Sequence, residues 1–247
     1  MKTVAIVNPR AGKRRKVYLP QDAEILETQA PGHATELART AIKRGAGTVI
    51  AVGGDGTINE VINGFFEDDR VIPTDAALAV IPQGTGSDFS KILSLPPDAR
   101  LAANVIQHGR KRLIDAMKVR YTTPNGTLAV RYAINVTSFG MGGAVAERVN
   151  RSSKPLGAIL AFLTATVQTA LNFPGNQVTV QLDDSKTLDA RITNVAAGNG
   201  QYHGAGMWIC PGAIVDDGLL DVTVVRHLRL TELIRRLDYR PRSALSS

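Results

Sequence analysis

The chain has 247 residues, with 29 Lys+Arg against 22 Asp+Glu, a formal net charge of +7 and a pI near 9.8; 44% of its residues are hydrophobic and 5% aromatic. That length and apolar content suffice for one large domain or two modest ones with packed cores, and the single cysteine, Cys210, excludes an intramolecular disulfide and a paired-cysteine metal site. The basic excess points to an anionic partner; few aromatics and no recognisable binding module argue against nucleic acid.

The chain opens with Val4-Ala5-Ile6-Val7, an apolar strand preceded by no long apolar leader, so the cytoplasm is the expected location. A helix-like stretch at 33–44 follows, then a strand at 48–52, a helix at 57–65, a strand at 77–81 and a helix at 87–93. This alternation predicts a parallel α/β domain over residues 1–110, with ligands at the carboxyl ends of its strands. From about Arg112 the pattern turns to strands at 113–121, 127–137, 177–183, 187–198 and 219–225, which predicts a mainly β domain over 111–247, joined near 109–112. Residues 155–182 carry no charge, yet Leu156, Ile159, Leu160, Leu163 and Val167 recur at helical spacing, which favours a helix packed on a sheet over a membrane span.

Two segments stand out. Residues 53–64 read GGDGTINEVING directly after the 48–52 strand, and residues 82–89 read PQGTGSDF directly after the 77–81 strand. Gly53, Gly54 and Gly56 allow positive φ and close backbone approach, Thr57 and Asn59 are candidate helix caps, and the free N–H groups of the helix favour an anion. Asp55 among phosphate-binding amides would repel a bare phosphate, so it suggests a Mg²⁺-linked triphosphate. The second loop repeats the logic: Gly84 and Gly86 make a turn, Thr85 is placed to reach a phosphate oxygen, and Ser87 or Asp88 caps the next helix. A strand-to-helix turn without chemistry is the alternative at either loop. Neither is a Walker A nor a dinucleotide fingerprint. Basic residues cluster at Arg10, Lys13, Arg14, Arg15 and Lys16 and again between Arg226 and Arg242, where ATP phosphates, an anionic lipid surface or plain solvent would all suit them.

The order GGDGT, INEVING, PQGTGSDF, with Asn8-Pro9-Arg10-Ala11-Gly12 before it and Gly198-Asn199-Gly200, Cys210-Pro211 and DDGLLDV (216–222) after it, resembles the diacylglycerol kinase catalytic domain family, soluble lipid kinases related to sphingosine kinases and more distantly to NAD kinases. The resemblance implies an ATP- and Mg²⁺-dependent transfer of the γ-phosphate to the hydroxyl of a diacylglycerol-like lipid. It also implies the nucleotide in a cleft between two domains, work at the inner membrane face, and a homodimer as an allowed assembly. Residue by residue, it implies nucleotide contacts at Thr28, Gly53, Gly54, Asp55, Gly56, Thr57, Asn59, Glu60, Gly84 and Thr85. Asp55, Asp88 and Asp115 would organise Mg²⁺ and its waters, and Asp217 with the carbonyls of Ile214 and Leu219 would hold a structural Mg²⁺, where an Asp-Gly turn is the plainer reading. His33 receives no catalytic role. The family pattern continues into strands bearing an Asp-Gly-Glu segment with the general base, and no Asp-Gly-Glu occurs in these 247 residues. The expectation is therefore a chain shortened at its C-terminus. Either Asp55 or Asp88 does the work of the base, Asp55 being the catalytic candidate, or the chain is a nucleotide-binding pseudokinase or fragment.

Overall fold

The computed structural model describes residues 2–11, 17–83, 88–96, 98–151, 164–169, 172–183, 186–204 and 206–227, apart from some helical side chains between Ala99 and Arg151. Within it, β1 (Lys2–Val7), β2 (Glu24–Glu27), β3 (Ala46–Gly53) and β6 (Ala77–Pro82) form a four-stranded sheet in the order β2-β1-β3-β6, every neighbouring pair parallel. Alternation along these strands supplies two apolar faces. Val4, Ile6, Val49, Ala51 and Val80 face one core; Ala5, Ile50, Val52 and Ile81 face the other. A sheet buried on both faces needs helices on both. The first face is covered by α1 (His33–Lys43) and α2 (Asp55–Asn63), through Ala34, Ala38, Ala41, Ile58, Val61 and Ile62, and by Phe89 of α3 (Asp88–Ile92). The second receives Ala103 and Ile106 of α4 (Ala99–His108).

Side chains far apart in sequence dock the helices. Glu60 of α2 accepts the Ala34 N–H of α1 at 3.2 Å, and Thr35 Oγ1 donates to the Glu60 carbonyl at 2.8 Å. The cap of α1 thus comes from the neighbouring helix, because its own N-cap, Gly32 at φ 86°, has no side chain to offer. A short pair, β4 (Phe66–Glu67) and β5 (Arg70–Val71), follows α2. Beyond α4, the antiparallel hairpin β7 (Met117–Thr122) and β8 (Leu128–Ala133) is tied to α2: Asn63 donates to the Tyr132 carbonyl at 2.8 Å and accepts the Tyr132 N–H at 2.9 Å, while the Tyr132 ring stacks on Phe66 with centroids 3.6 Å apart.

The other sheet contains β9 (Val136–Gly140), β10 (Asn176–Leu182), β11 (Lys186–Gly198) and β14 (Asp221–Arg226), in the order β10-β11-β14 with β9 paired to β11. Helix α5 (Met141–Arg151) precedes β10, and the two-residue strands β12 (Tyr202–His203) and β13 (Met207–Trp208) pair antiparallel between β11 and β14. Parallel α/β architecture early in the chain and antiparallel sheet later agree with the expected fold class. The compact units are Met1–Thr137 with Ala197–Val222, and Ser138–Ala196 with Thr223–Ser247. They do not follow one linear cut at 109–112, because Asn199 returns the chain to the first unit, donating from its side chain to the carbonyls of Asp115 and Ile134 at 3.0 and 3.2 Å. Most of the apolar 155–182 stretch up to residue 171 lies outside the described residues. Among those described, no helix is long and apolar enough to cross a membrane.

Candidate functional site

The carboxyl ends of β1 and β3 meet where the strand order reverses, the position at which doubly wound sheets bind ligands. A cavity of about 150 Å³ opens there. Asn8 and Arg10 from the turn after β1, Thr28 and Gln29 after β2, and Thr57 and Glu60 of α2 line it, with Ala30, Pro31 and Ala34 beside them. Asn8 braces this corner: its Nδ2 donates to Thr57 Oγ1 at 3.1 Å, and its Oδ1 accepts the Arg10 N–H at 3.0 Å. The Thr28 N–H is fixed by the Val7 carbonyl at 2.9 Å, which continues the strand pairing up to the cavity rim. His33 accepts the Gln29 N–H on Nδ1 at 3.1 Å.

The GGDGT turn departs from the sequence reading in its mechanics. Helix α2 begins at Asp55, with Gly54 as N-cap at φ −95° and no side-chain cap. Thr57 and Asn59 are therefore not caps. Thr57 is buried with its hydroxyl bound by Asn8, and Asn59 donates to the Tyr132 carbonyl at 3.3 Å. Gly53, Gly54 and Gly56 are not among the residues of positive φ. Glycine is required at Gly53 for another reason: a Cβ there would overlap the Thr57 hydroxyl and lie 2.7 Å from its Cβ. At Gly56 an added Cβ would meet nothing within 4 Å, so space stands open beside the first turn. An uncapped helix start next to open space keeps its amide donors for an external acceptor.

Asp55 is held by protein donors. Its carboxylate accepts the backbone N–H groups of Asp88 and Phe89, both at 3.1 Å, and so caps α3 from the first residue of α2. The expected self-cap at Asp88 is thereby replaced; Ser87, Gly84 and Thr85 lie outside the described residues. Asp88 is 2% exposed and paired with Lys91 at 3.1 Å. His203 stands near this acidic pair: burial pushes its imidazole below the ordinary value, while the carboxylates of Asp88 and Asp55 act in the opposite direction. Asp115 goes elsewhere, its Oδ2 accepting the Gly218 N–H at 2.7 Å, while Asp217 Oδ1 accepts the Leu219 N–H at 3.0 Å. Ile214 and Leu219 are exposed around that turn, Gly218 at φ 74° supplies its left-handed residue, and Arg112 clamps Asp216 through its Nε at 2.8 Å.

The structure thus brings Thr28, Thr57 and Glu60 to one cavity, Asp55 and Asp88 to one junction, and Asp115 and Asp217 to a separate turn. Sequence reasoning had not assigned Asn8, Arg10, Gln29 and His203 to a site. The first three follow strand ends, the signal that would have found them; His203, 115 positions after Asp88, gives none.

Fold and site together define a doubly wound α/β protein with a cavity and an uncapped helix at its strand ends. The diacylglycerol kinase catalytic domain matches residues 2–119 and the YegS C-terminal NAD kinase beta sandwich-like domain matches residues 135–240. A protein of Chromohalobacter salexigens named "Probable lipid kinase YegS-like" is 32% identical over 219 residues, 86% of this chain and 66% of that one. A diacylglycerol kinase of Mycobacterium tuberculosis is 28% identical over 203 residues, 82% of this chain and 62% of that one. A crystal structure of a diacylglycerol kinase from Bacillus anthracis str. Sterne superposes with a TM-score of 0.62 at 25% identity, covering 91% of this chain and 72% of that one. The chain belongs to the diacylglycerol kinase catalytic domain family of lipid kinases, and it spans about two thirds of the length of the curated relatives it matches, 66% and 62% for the two named.

Proposed function

We infer that this chain transfers the γ-phosphate of ATP, with Mg²⁺, to the hydroxyl of a diacylglycerol-like lipid. The observation that carries the reading is the uncapped start of α2, open beside Gly56 and adjoining the cavity between Asn8, Thr28 and Glu60. Phosphoryl transfer asks the protein mainly for positioning and charge stabilisation. The amides of Asp55 and Gly56 donate to phosphate oxygens, and Arg10 adds a positive charge at the cavity. Thr28, Asn8 and Glu60 offer hydrogen-bonding groups to the ribose and base. The cavity is smaller than the roughly 300–1,000 Å³ of ordinary ligand pockets, so it takes part of the nucleotide while the phosphates lie along the α2 start. Gly84 and Thr85 complete the contacts by family resemblance.

Among the described residues no group of three or more His, Cys, Asp or Glu could hold a metal. Hard carboxylate oxygens at Asp55 and Asp88 nevertheless suit Mg²⁺, which keeps several waters and takes one or two protein carboxylates together with substrate phosphate. The ion would supply neutralisation of developing charge. Asp217 with the Ile214 and Leu219 carbonyls would hold a second, structural Mg²⁺ at the exposed turn. The acceptor lipid would be met at the inner membrane face, where the basic excess favours anionic lipid by roughly 1 kcal/mol per basic residue near the surface. Radiolabelled ATP incubated with the chain and a bacterial lipid extract tests the reading: label in a phosphatidic-acid-like product supports it, and label in no lipid at any Mg²⁺ concentration rejects it.

A further inference from the structure

The hairpin β7–β8 forms a two-stranded sheet of its own, and among the described residues no third strand pairs with either edge. Its root is held: Asn63 at the end of α2 bonds both backbone groups of Tyr132, and Lys118 pairs with Asp69 at 2.9 Å. Its far half is bare. Tyr121 is 41% exposed and Leu128 80% exposed, one on each strand beside the turn.

The register sorts the side chains of that half. Leu128 lies opposite Thr122 and Tyr121 opposite Ala129, so the two apolar side chains project from opposite faces of the hairpin. One same-face step further from the turn, Arg120 opposite Val130 follows Leu128, and Arg131 opposite Val119 follows Tyr121. Each face therefore carries an apolar side chain toward the turn and an arginine about 7 Å behind it, two residues at about 3.3 Å each. Both arginines are exposed, and neither pairs with an acid among the described residues. Their surroundings share the sign: between Ala99 and Ala146 stand seven Lys or Arg and one acid, Asp115, whose carboxylate accepts the Gly218 N–H.

The turn satisfies most of its own polar groups. The Thr123 N–H donates to the Thr127 carbonyl at 2.9 Å, the Gly126 N–H to the Thr123 carbonyl at 2.9 Å, and the Thr127 N–H to Thr123 Oγ1 at 3.1 Å. Pro124 brings no N–H at all. A tip bonded within itself enters a poorly hydrated medium at low cost. An apolar end with an arginine band behind it fits an anionic bilayer, whose acyl boundary lies about 5–10 Å below its charged headgroups. A protein groove would call for apolar side chains on one face, whereas end-on immersion uses both faces alike.

We propose that the β7–β8 tip docks the chain on an anionic lipid surface, with Tyr121 and Leu128 entering the interface and Arg120 and Arg131 meeting lipid phosphates. The proposal rests on the lipid-acceptor reading above and adds the surface by which the chain meets the bilayer. Asn59 and Asn63, both bonded to the Tyr132 carbonyl, join this hairpin to α2, the helix whose start adjoins the candidate nucleotide cavity.

The test is sedimentation of the full chain with vesicles of phosphatidylcholine alone and of phosphatidylcholine mixed with phosphatidylglycerol. ATP-dependent labelling of diacylglycerol carried in the same vesicles is read separately. The variants are Arg120→Gln with Arg131→Gln, and Tyr121→Ser with Leu128→Ser; all four side chains are exposed, so wild-type melting temperatures verify the fold. Loss of both arginines is expected to weaken binding to the anionic vesicles about 30-fold and to leave binding to the neutral ones unchanged. Loss of Tyr121 and Leu128 is expected to weaken binding to both by about 10-fold or more. Raised salt should remove the first difference and keep the second. Wild-type sedimentation by both double variants overturns the dock, and with labelling retained it leaves the phosphoryl-transfer reading intact. Equal losses on neutral and anionic vesicles in the arginine variant, or no sedimentation of the wild type, also overturn it. A dimer that Tyr121→Ser with Leu128→Ser abolishes, vesicle binding being unchanged, overturns it and assigns the tip to a second copy. Sedimentation that responds as expected without any labelled lipid keeps the dock and rejects the phosphoryl-transfer reading.

Discussion

Asp55→Ala removes the acceptor of two hydrogen bonds, those from the Asp88 and Phe89 amides at 3.1 Å, from residues only 2% and 1% exposed. Hydrogen bonds to an ionised acceptor contribute about 1.5–3 kcal/mol each, so losing both costs about 3–6 kcal/mol before relaxation. Because Asp55 itself is half-buried, water and local adjustment reduce this to about 2–4 kcal/mol. For a chain of this size that corresponds to a fall in melting temperature of roughly 5–15 °C. Asp55→Asn keeps one oxygen acceptor and loses the charge, so about half the effect is expected. The assay is thermal unfolding in EDTA-containing buffer, followed by the same melts with Mg·ATP. A carboxylate that served only a metal would leave the metal-free melts untouched. If Asp55→Ala melted within about 1 °C of wild type without metal, the assignment of Asp55 as the tie between the two glycine loops would be refuted.

Gly53→Ala forces a methyl group against Thr57, breaks the Asn8–Thr57 bond, and is expected to lower the melting temperature by several degrees and weaken nucleotide binding, whereas Gly56→Ala, facing open space, should fold like the wild type; calorimetry and melts on both separate the two. Burial depresses the His203 pKa, so the unfolded chain binds the extra proton first as pH falls through its ordinary value of 6.5; His203 therefore contributes stability above that value, which is lost progressively below it toward the lower folded value, and His203→Gln should flatten the melting temperature between about pH 7 and pH 5. A slope equal to wild type would remove His203 from that account. If Asp217 holds a structural Mg²⁺, EDTA lowers the wild-type melting temperature and affects Asp217→Ala much less, by mass action on the folded state; equal responses leave only the turn in which Asp217 accepts the Leu219 N–H. Asn63→Ala loses its paired bonds to Tyr132 and should destabilise the β7–β8 hairpin by about 1–3 kcal/mol, measured by denaturant titration.

The four parallel strands differ in how legible they were. Strands β1, β3 and β6 were readable because they are apolar runs, β3 and β6 ending at Gly53 and Pro82, with residues on both faces packed into a core. Strand β2 was missed: Glu-Ile-Leu-Glu is only four residues long, starts and ends on a charge, and leaves Glu24, Ile25 and Glu27 exposed, so it carries no apolar run. Helix α4 was also missed, although Asp98 after two prolines is a cap signal, its carboxylate accepting the Arg100 and Leu101 amides at 2.9 and 3.0 Å. Helix α5 begins Met-Gly-Gly, poor helix propensity that only tertiary context overrides. At the site, the glycine turns marked the start of α2 and the end of β6, but the partners of Asp55, Glu60 and Asn59 were not legible. Each contacts a residue from 26 to 73 positions away, a distance that local pattern does not encode.

The most direct measurement is a crystal structure of the chain with Mg²⁺ and a non-hydrolysable ATP analogue. The account predicts phosphate oxygens within hydrogen-bonding distance of the Asp55 and Gly56 amides, with the nucleoside entering the cavity bounded by Asn8, Thr28 and Glu60. Nucleotide seated anywhere other than the carboxyl ends of β1 and β3 would contradict it.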